Sequence, residues 1–146
     1  RAGADKVAIK SGATDGFIRE ASEKFGSQSI VVAIDATDLF QCMDSRHRIK
    51  SVQCEQSGAG EILLTSIPMD GTMNGYDLKL IHEVSKSLTI PVIANGGCGG
   101  YLDMLNAINV GAHAVAACSI FQYTECTPLG ASEYLHQHGI PVRLAA

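Results

Sequence analysis

Tryptophan is absent and aromatic residues make up only 5% of the chain, so a core here has to be built from aliphatic side chains. Basic runs are missing too. With a formal net charge of −4, this excludes an electrostatic nucleic-acid surface. No apolar run is long enough to span a bilayer, and Arg1–Lys10 carries no cleavable apolar segment, so neither a membrane anchor nor a signal peptide is expected. The five cysteines form no Cys-x-x-Cys pair and are odd in number, which points to reduced thiols and a cytoplasmic protein. The five histidines are scattered; His136 and His138 read as solvated residues near a helix end. Neither a metal nor a cofactor is expected.

What is present is 46% hydrophobic and 18% charged, over 146 residues, enough for one domain (1–146) with a real core. Short apolar runs alternate with helical stripes. Lys6–Lys10 reads as a strand. Thr14 or Asp15 caps a helix with Phe17, Ile18, Ala21 and Phe25 inward, closed by Gly26. Ser29–Ala36 is a strand apolar on both faces until Asp35. After a loop at Thr37–Asp44, Arg46–Gln56 forms a helix with Ile49 and Val52 inward, closed by Gly58.

Gly58–Leu88 organises the rest. Ile62–Ile67 is a buried strand, Met69–Gly75 a tight loop, and Asp77 the cap of a helix with Leu78, Ile81, Val84 and Leu88 on one stripe. A strand that feeds a helix through a glycine-rich loop leaves free backbone N–H groups, an arrangement that suits an anion. Pro91–Asn95 is the fourth strand and runs into Gly96–Gly100. Its helix carries Leu102, Leu105 and Ile108. Ala114–Phe121 is the fifth strand, and a last helix starts at Thr127-Pro128 and stops at Gly139. The class is α/β with five parallel βα units, part of a (β/α)8 barrel or a doubly wound sheet. A complete barrel needs ~250 residues, so this length does not close one.

The segments GADKV, VVAIDA, GAGEILLTSI, DGTMNGYDL, IPVIANGG and HGIPVR, in this order, closely resemble the cyclase subunit family of imidazole glycerol phosphate synthase (HisF). That resemblance covers the family's fourth to eighth βα units. It implies a partial (β/α)8 barrel of a lyase lineage in histidine biosynthesis, a phosphorylated small-molecule ligand and a glutaminase partner that supplies ammonia. On the matching positions it assigns Asp35 as the acid/base carboxylate, a role for which a positioned carboxylate is chemically suited. It gives Asp70, Gly71, Thr72, Gly96, Gly97, Cys118 and Ser119 to one phosphate site, with Asp70 ordering its loop. Lys6 and Glu61 match the ammonia gate, and Thr65 matches a position in the barrel mouth.

The departures are specific. The family's second catalytic Asp lies on a strand that this chain does not carry. Ala8, Lys10 and Ser11 replace Ser, Asn and Thr near the second phosphate site, where Lys10 can still serve as a point charge. The loop Thr37–Asp44 is short, and Pro68 replaces an acidic residue. Two readings follow. One is a fragment or partial copy of the cyclase, inactive alone. The other is a non-catalytic phosphate-binding half-barrel; a relative acting in surface-polysaccharide amination fits the same motifs. An open sheet with two bare edges is also expected to self-associate as a homo-oligomer. Its uncovered face would be formed by Val32, Ile34, Leu64, Ile93 and Ala116 or by their alternate neighbours.

Overall fold

The computed structural model describes residues 3–10, 14–37 and 46–144. The strands are β1 (Val7–Lys10), β2 (Ile30–Ala36), β3 (Glu61–Ser66), β4 (Val92–Asn95) and β5 (Ala114–Val115). They form one sheet in sequential order, and every adjacent pair is parallel. The helices are α1 (Asp15–Phe25), α2 (Arg46–Gln56), α3 (Leu78–Ser85), α4 (Tyr101–Asn109), α5 (Ser119–Tyr123) and α6 (Pro128–Gln137). The result is an open part of an α/β barrel.

The caps follow the sequence. Thr14 Oγ1 accepts from Phe17 N at 3.3 Å, Asp77 Oδ1 from Leu80 N at 3.0 Å, and Thr127 Oγ1 from Gly130 N at 3.0 Å. Gly26 and Gly58 end α1 and α2 with φ of 86° and 104°. A short 3-10 turn, Ser27–Ser29, takes the first residue, Ser29, of the expected second strand.

Val32, Ile34, Ile62, Leu64 and Val92 are at most 1% exposed and pack with Ile18 of α1, Cys54 of α2, and Leu80 and Val84 of α3. This decides between the two sets expected for the uncovered face, because Val32, Ile34 and Leu64 point at the helices. The opposite face belongs to the alternate neighbours Ala33 and Leu63, together with Ile93, which was expected there; all three are only half-buried. Strands that read as apolar throughout hide their phase, and only register reveals it.

Three helix stripes also turn. Phe17 and Phe25 of α1 are 51% and 61% exposed, and Ile18 alone is buried. Ile49 of α2 is exposed while Ser51 and Cys54 are buried. Leu102 of α4 is exposed while Met104 and Ala107 take the inner positions. The fifth strand is far shorter than Ala114–Phe121, since Ser119–Tyr123 winds into α5.

Candidate functional site: a glycine-walled pocket at the strand ends

Three of the expected phosphate loops meet at the C-terminal ends of β3, β4 and β5. A cavity of about 20 Å3 lies between them, lined by Asp70, Gly71, Gly96, Gly97, Cys118 and Ser119 together with Asn95 and neighbouring residues. Thr72 is not in the lining. Its Oγ1 donates to Met69 O at 2.7 Å and accepts from Asn74 N at 3.3 Å, so it shapes the loop after β3.

Two loops close on each other with almost no space between them. Gly75 N donates to Gly97 O at 2.7 Å. A Cβ on Gly97 would sit 2.2 Å from Gly75 O, and one on Gly99 would sit 2.1 Å from Met73 O. Gly96 and Gly97 also hold φ of 91° and 100°, a region that side chains rarely adopt. Glycine here therefore serves contact and conformation together. Asp103 of α4 finishes the turn by accepting from Gly99 N at 2.9 Å.

Tyr76 supports the pocket from beneath. It is 5% exposed and its hydroxyl donates to Ala116 O at 2.8 Å, tying the loop after β3 to the segment that follows β5. Burial first, then the hydrogen bond with Cys98, pushes the Tyr76 phenol well above its usual range. Burial likewise raises the thiols of Cys98 and Cys54, so neither is poised as a nucleophile. Cys54, Cys98, Cys118 and Cys126 are all free; Cys42 lies outside the described residues. No group of His, Cys, Asp and Glu among the described residues is arranged to hold a metal.

The carboxylate expected to do proton transfer, Asp35, stands at the end of β2, half-buried, in register with Thr65 of β3, which is in register with Asn95 of β4. Asn95 Nδ2 donates to Thr65 Oγ1 at 3.0 Å. Lys10 Nζ reaches Asp35 Oδ2 at 3.5 Å from the end of β1. Ser11 and most of the loop Thr37–Asp44 lie outside the described residues. The structure thus brings together Lys10, Asp35, Thr65 and Asn95 as a polar row beside the pocket. The sequence reading took Asn95 only as the last residue of the fourth strand, because its partner Thr65 is set by register and not by spacing along the chain. At the other end of the strands, Lys6 Nζ pairs with Glu61 Oε1.

A profile of the family described as histidine biosynthesis protein matches residues 1–127. The chain belongs to that family. Imidazole glycerol phosphate synthase subunits HisF from two strains of Dehalococcoides mccartyi, BAV1 and 195, are each 46% identical to it over 158 aligned residues. The match takes in 99% of the chain and 62% of either relative, so the chain spans less than two thirds of the length of these curated relatives. Among solved structures, the Amycolatopsis orientalis BexX/CysO complex superposes with a TM-score of 0.61 over 93% of the chain and 55% of that protein. At 18% identity this likeness concerns the fold alone. Membership in the histidine biosynthesis family is consistent with the order of elements and with the glycine-rich loops at the strand ends. No helix among the described residues is long and apolar enough to cross a membrane.

Proposed function

We propose that the chain is the C-terminal part-barrel of a HisF-type cyclase. It binds a phosphorylated small molecule at the glycine-walled pocket and contributes Asp35 as the acid/base group. One observation carries the reading: three adjacent strand ends bring backbone amides to one pocket, those after β3 and β4 with glycines and that after β5 with Cys118 and Ser119, and Asp35 stands at the next strand end. A cavity of about 20 Å3 admits roughly one water, so a phosphate sits over the rim and reaches the amides with its oxygens. Lys10 and Ser11 would meet a second phosphate, and the Lys6–Glu61 pair would gate ammonia delivered by a glutaminase subunit.

Turnover needs a second carboxylate from βα units outside this chain, so the chain alone is inactive. The cytoplasm is the compartment that fits reduced thiols. A purely phosphate-binding module is the second reading, favoured by the ion pair that Lys10 places on Asp35. The experiment is to join the three N-terminal βα units of a HisF relative to this chain and assay ammonia-dependent turnover of the nucleotide substrate. Turnover supports the cyclase reading. Inactivity in a folded hybrid whose pocket amides still respond to inorganic phosphate supports the binding module.

A further inference from the structure

Two ion pairs lie across the sheet among the described residues, and they differ in kind. Lys6–Glu61 reaches past β2 from the start of β1 to β3, and Lys10–Asp35 joins the neighbours β1 and β2. Lys6–Glu61 is a close contact with the Glu61 side chain only 18% exposed. Lys10–Asp35 spans 3.5 Å, with side-chain exposures of 83% and 38%. A charge-assisted N–H···O bond is typically ~2.7–2.9 Å. The Lys10 contact is therefore Coulombic and loose.

Its geometry follows from register. Lys10 lies opposite Ala33, two residues before Asp35 on β2. The lysine stem must lean along the strands to meet the carboxylate, and it passes the small Ala33 to do so. This carries the ammonium to the mouth of the site, where it stays in water and free to move. On the other side of Asp35, the row continues with neutral groups. Thr65 accepts from Asn95, so Lys10 is the cation of that row.

We propose that Lys10 is an exchangeable counter-ion that positions Asp35. In the ligand-free site it holds the carboxylate turned toward β1; an anionic group of an arriving ligand takes the ammonium, and Asp35 is released to the reacting centre. The role of Asp35 as the proton-transfer group, proposed above, is presupposed. Lys10 is then a positioning residue, coupling occupancy at the β1 end of the rim to the availability of the carboxylate. Among the described residues, the charged and titratable groups that bear on Asp35 are few. Lys10 comes from β1. Thr65 and Asn95 from β3 and β4 do not titrate. Asp70 is exposed in the loop after β3, and Glu61 and Lys6 satisfy each other at the far end of the strands.

The test uses the chain itself, labelled with 13C and 15N, and follows the Asp35 carboxyl carbon at pH 7 in the parent, Lys10→Gln and Lys10→Arg. Each is measured in chloride and in sulfate at matched ionic strength, with sulfate as the competing anion. Lys10→Gln should shift the Asp35 carboxyl signal in chloride, and Lys10→Arg should restore it. Sulfate should move that signal toward its Lys10→Gln position in the parent and in Lys10→Arg but leave Lys10→Gln unmoved. Equal carboxyl signals in the parent and Lys10→Gln overturn the proposal, and a sulfate effect undiminished in Lys10→Gln overturns the exchange. The Gly96 and Gly97 amides, read in the same spectra, report on the pocket. If they ignore sulfate while the Asp35 response still depends on Lys10, the phosphate-site reading fails and the role of Lys10 stands.

Discussion

Asn95 Nδ2 donates to Thr65 Oγ1 at 3.0 Å, joining β4 to β3 on the sheet face turned away from the helices. Because the Thr65 oxygen is the acceptor, its own proton remains available to a neighbour. Thr65→Val keeps the shape and strand propensity but removes that oxygen. We expect a loss of about 1 kcal/mol from the unmade hydrogen bond. A double-mutant cycle with Asn95→Ala should give a coupling of roughly 0.5–1 kcal/mol in urea unfolding. Additive effects would mean that the contact contributes nothing.

Gly97 and Gly100 provide a matched pair. Gly97→Ala forces a Cβ to 2.2 Å from Gly75 O at a φ of 100°. The cost should be on the order of 2–4 kcal/mol, with loss of the phosphate response. Gly100 has extended backbone and nothing within 4 Å of a Cβ, so Gly100→Ala should stay within about 0.5 kcal/mol of the parent. Thermal melts of the two variants decide the matter.

Tyr76 links the fold to alkaline pH. Its folded phenol titrates above the ordinary value because burial disfavours the charged form. Below about pH 10 both folded and unfolded chains keep the proton, and the full stability is present. Above it the unfolded chain ionises first, binds fewer protons than the folded one, and stability falls. Tyr76→Phe should therefore be less stable at pH 7 by about 1 kcal/mol and should lose less on going from pH 9 to pH 11. Parallel alkaline profiles for the two proteins would contradict this.

Asp35→Asn should leave the fold nearly intact, since the carboxylate is half-buried at a strand end and its partner Lys10 is mostly in water. In the hybrid with restored N-terminal units, turnover should collapse by roughly 100-fold or more, because an amide cannot transfer a proton. Circular dichroism and turnover measured on the same preparation check both halves.

Association is expected as well. β1 and β5 are both sheet edges, and Leu63 and Ile93 lie half-buried on the face that no described helix covers. Open edges and an apolar face favour pairing between chains. Light scattering at micromolar concentration should report a dimer or larger species. A stable 15.4 kDa particle would count against it.

The sequence was most legible where local chemistry decides the outcome. Thr14, Asp77 and Thr127 cap the helices they were expected to cap, and β2, β3 and β4 fall within a residue or so of the expected apolar runs. It was least legible where neighbours decide. Phe17, Phe25 and Leu102 were expected inward but are exposed, and the side that a helix buries depends on what stands beside it. The run Ala114–Phe121 divides into a short strand and α5, because an eight-residue apolar run suits either period. In the site, the glycine loops could be read directly. The row of Lys10, Asp35, Thr65 and Asn95 exists only through strand register, which a one-dimensional pattern does not carry.

The contacts of Gly97 with Gly75 and of Gly99 with Met73 make the loops after β3 and β4 a single mechanical piece. Neither can be recombined alone. A chimera that borrows residues 66–75 from one homologue and 96–103 from another would bring together two surfaces shaped for different partners. For engineering, the transferable cassette is the pair of loops, with Tyr76 as the peg that fixes it to the segment after β5.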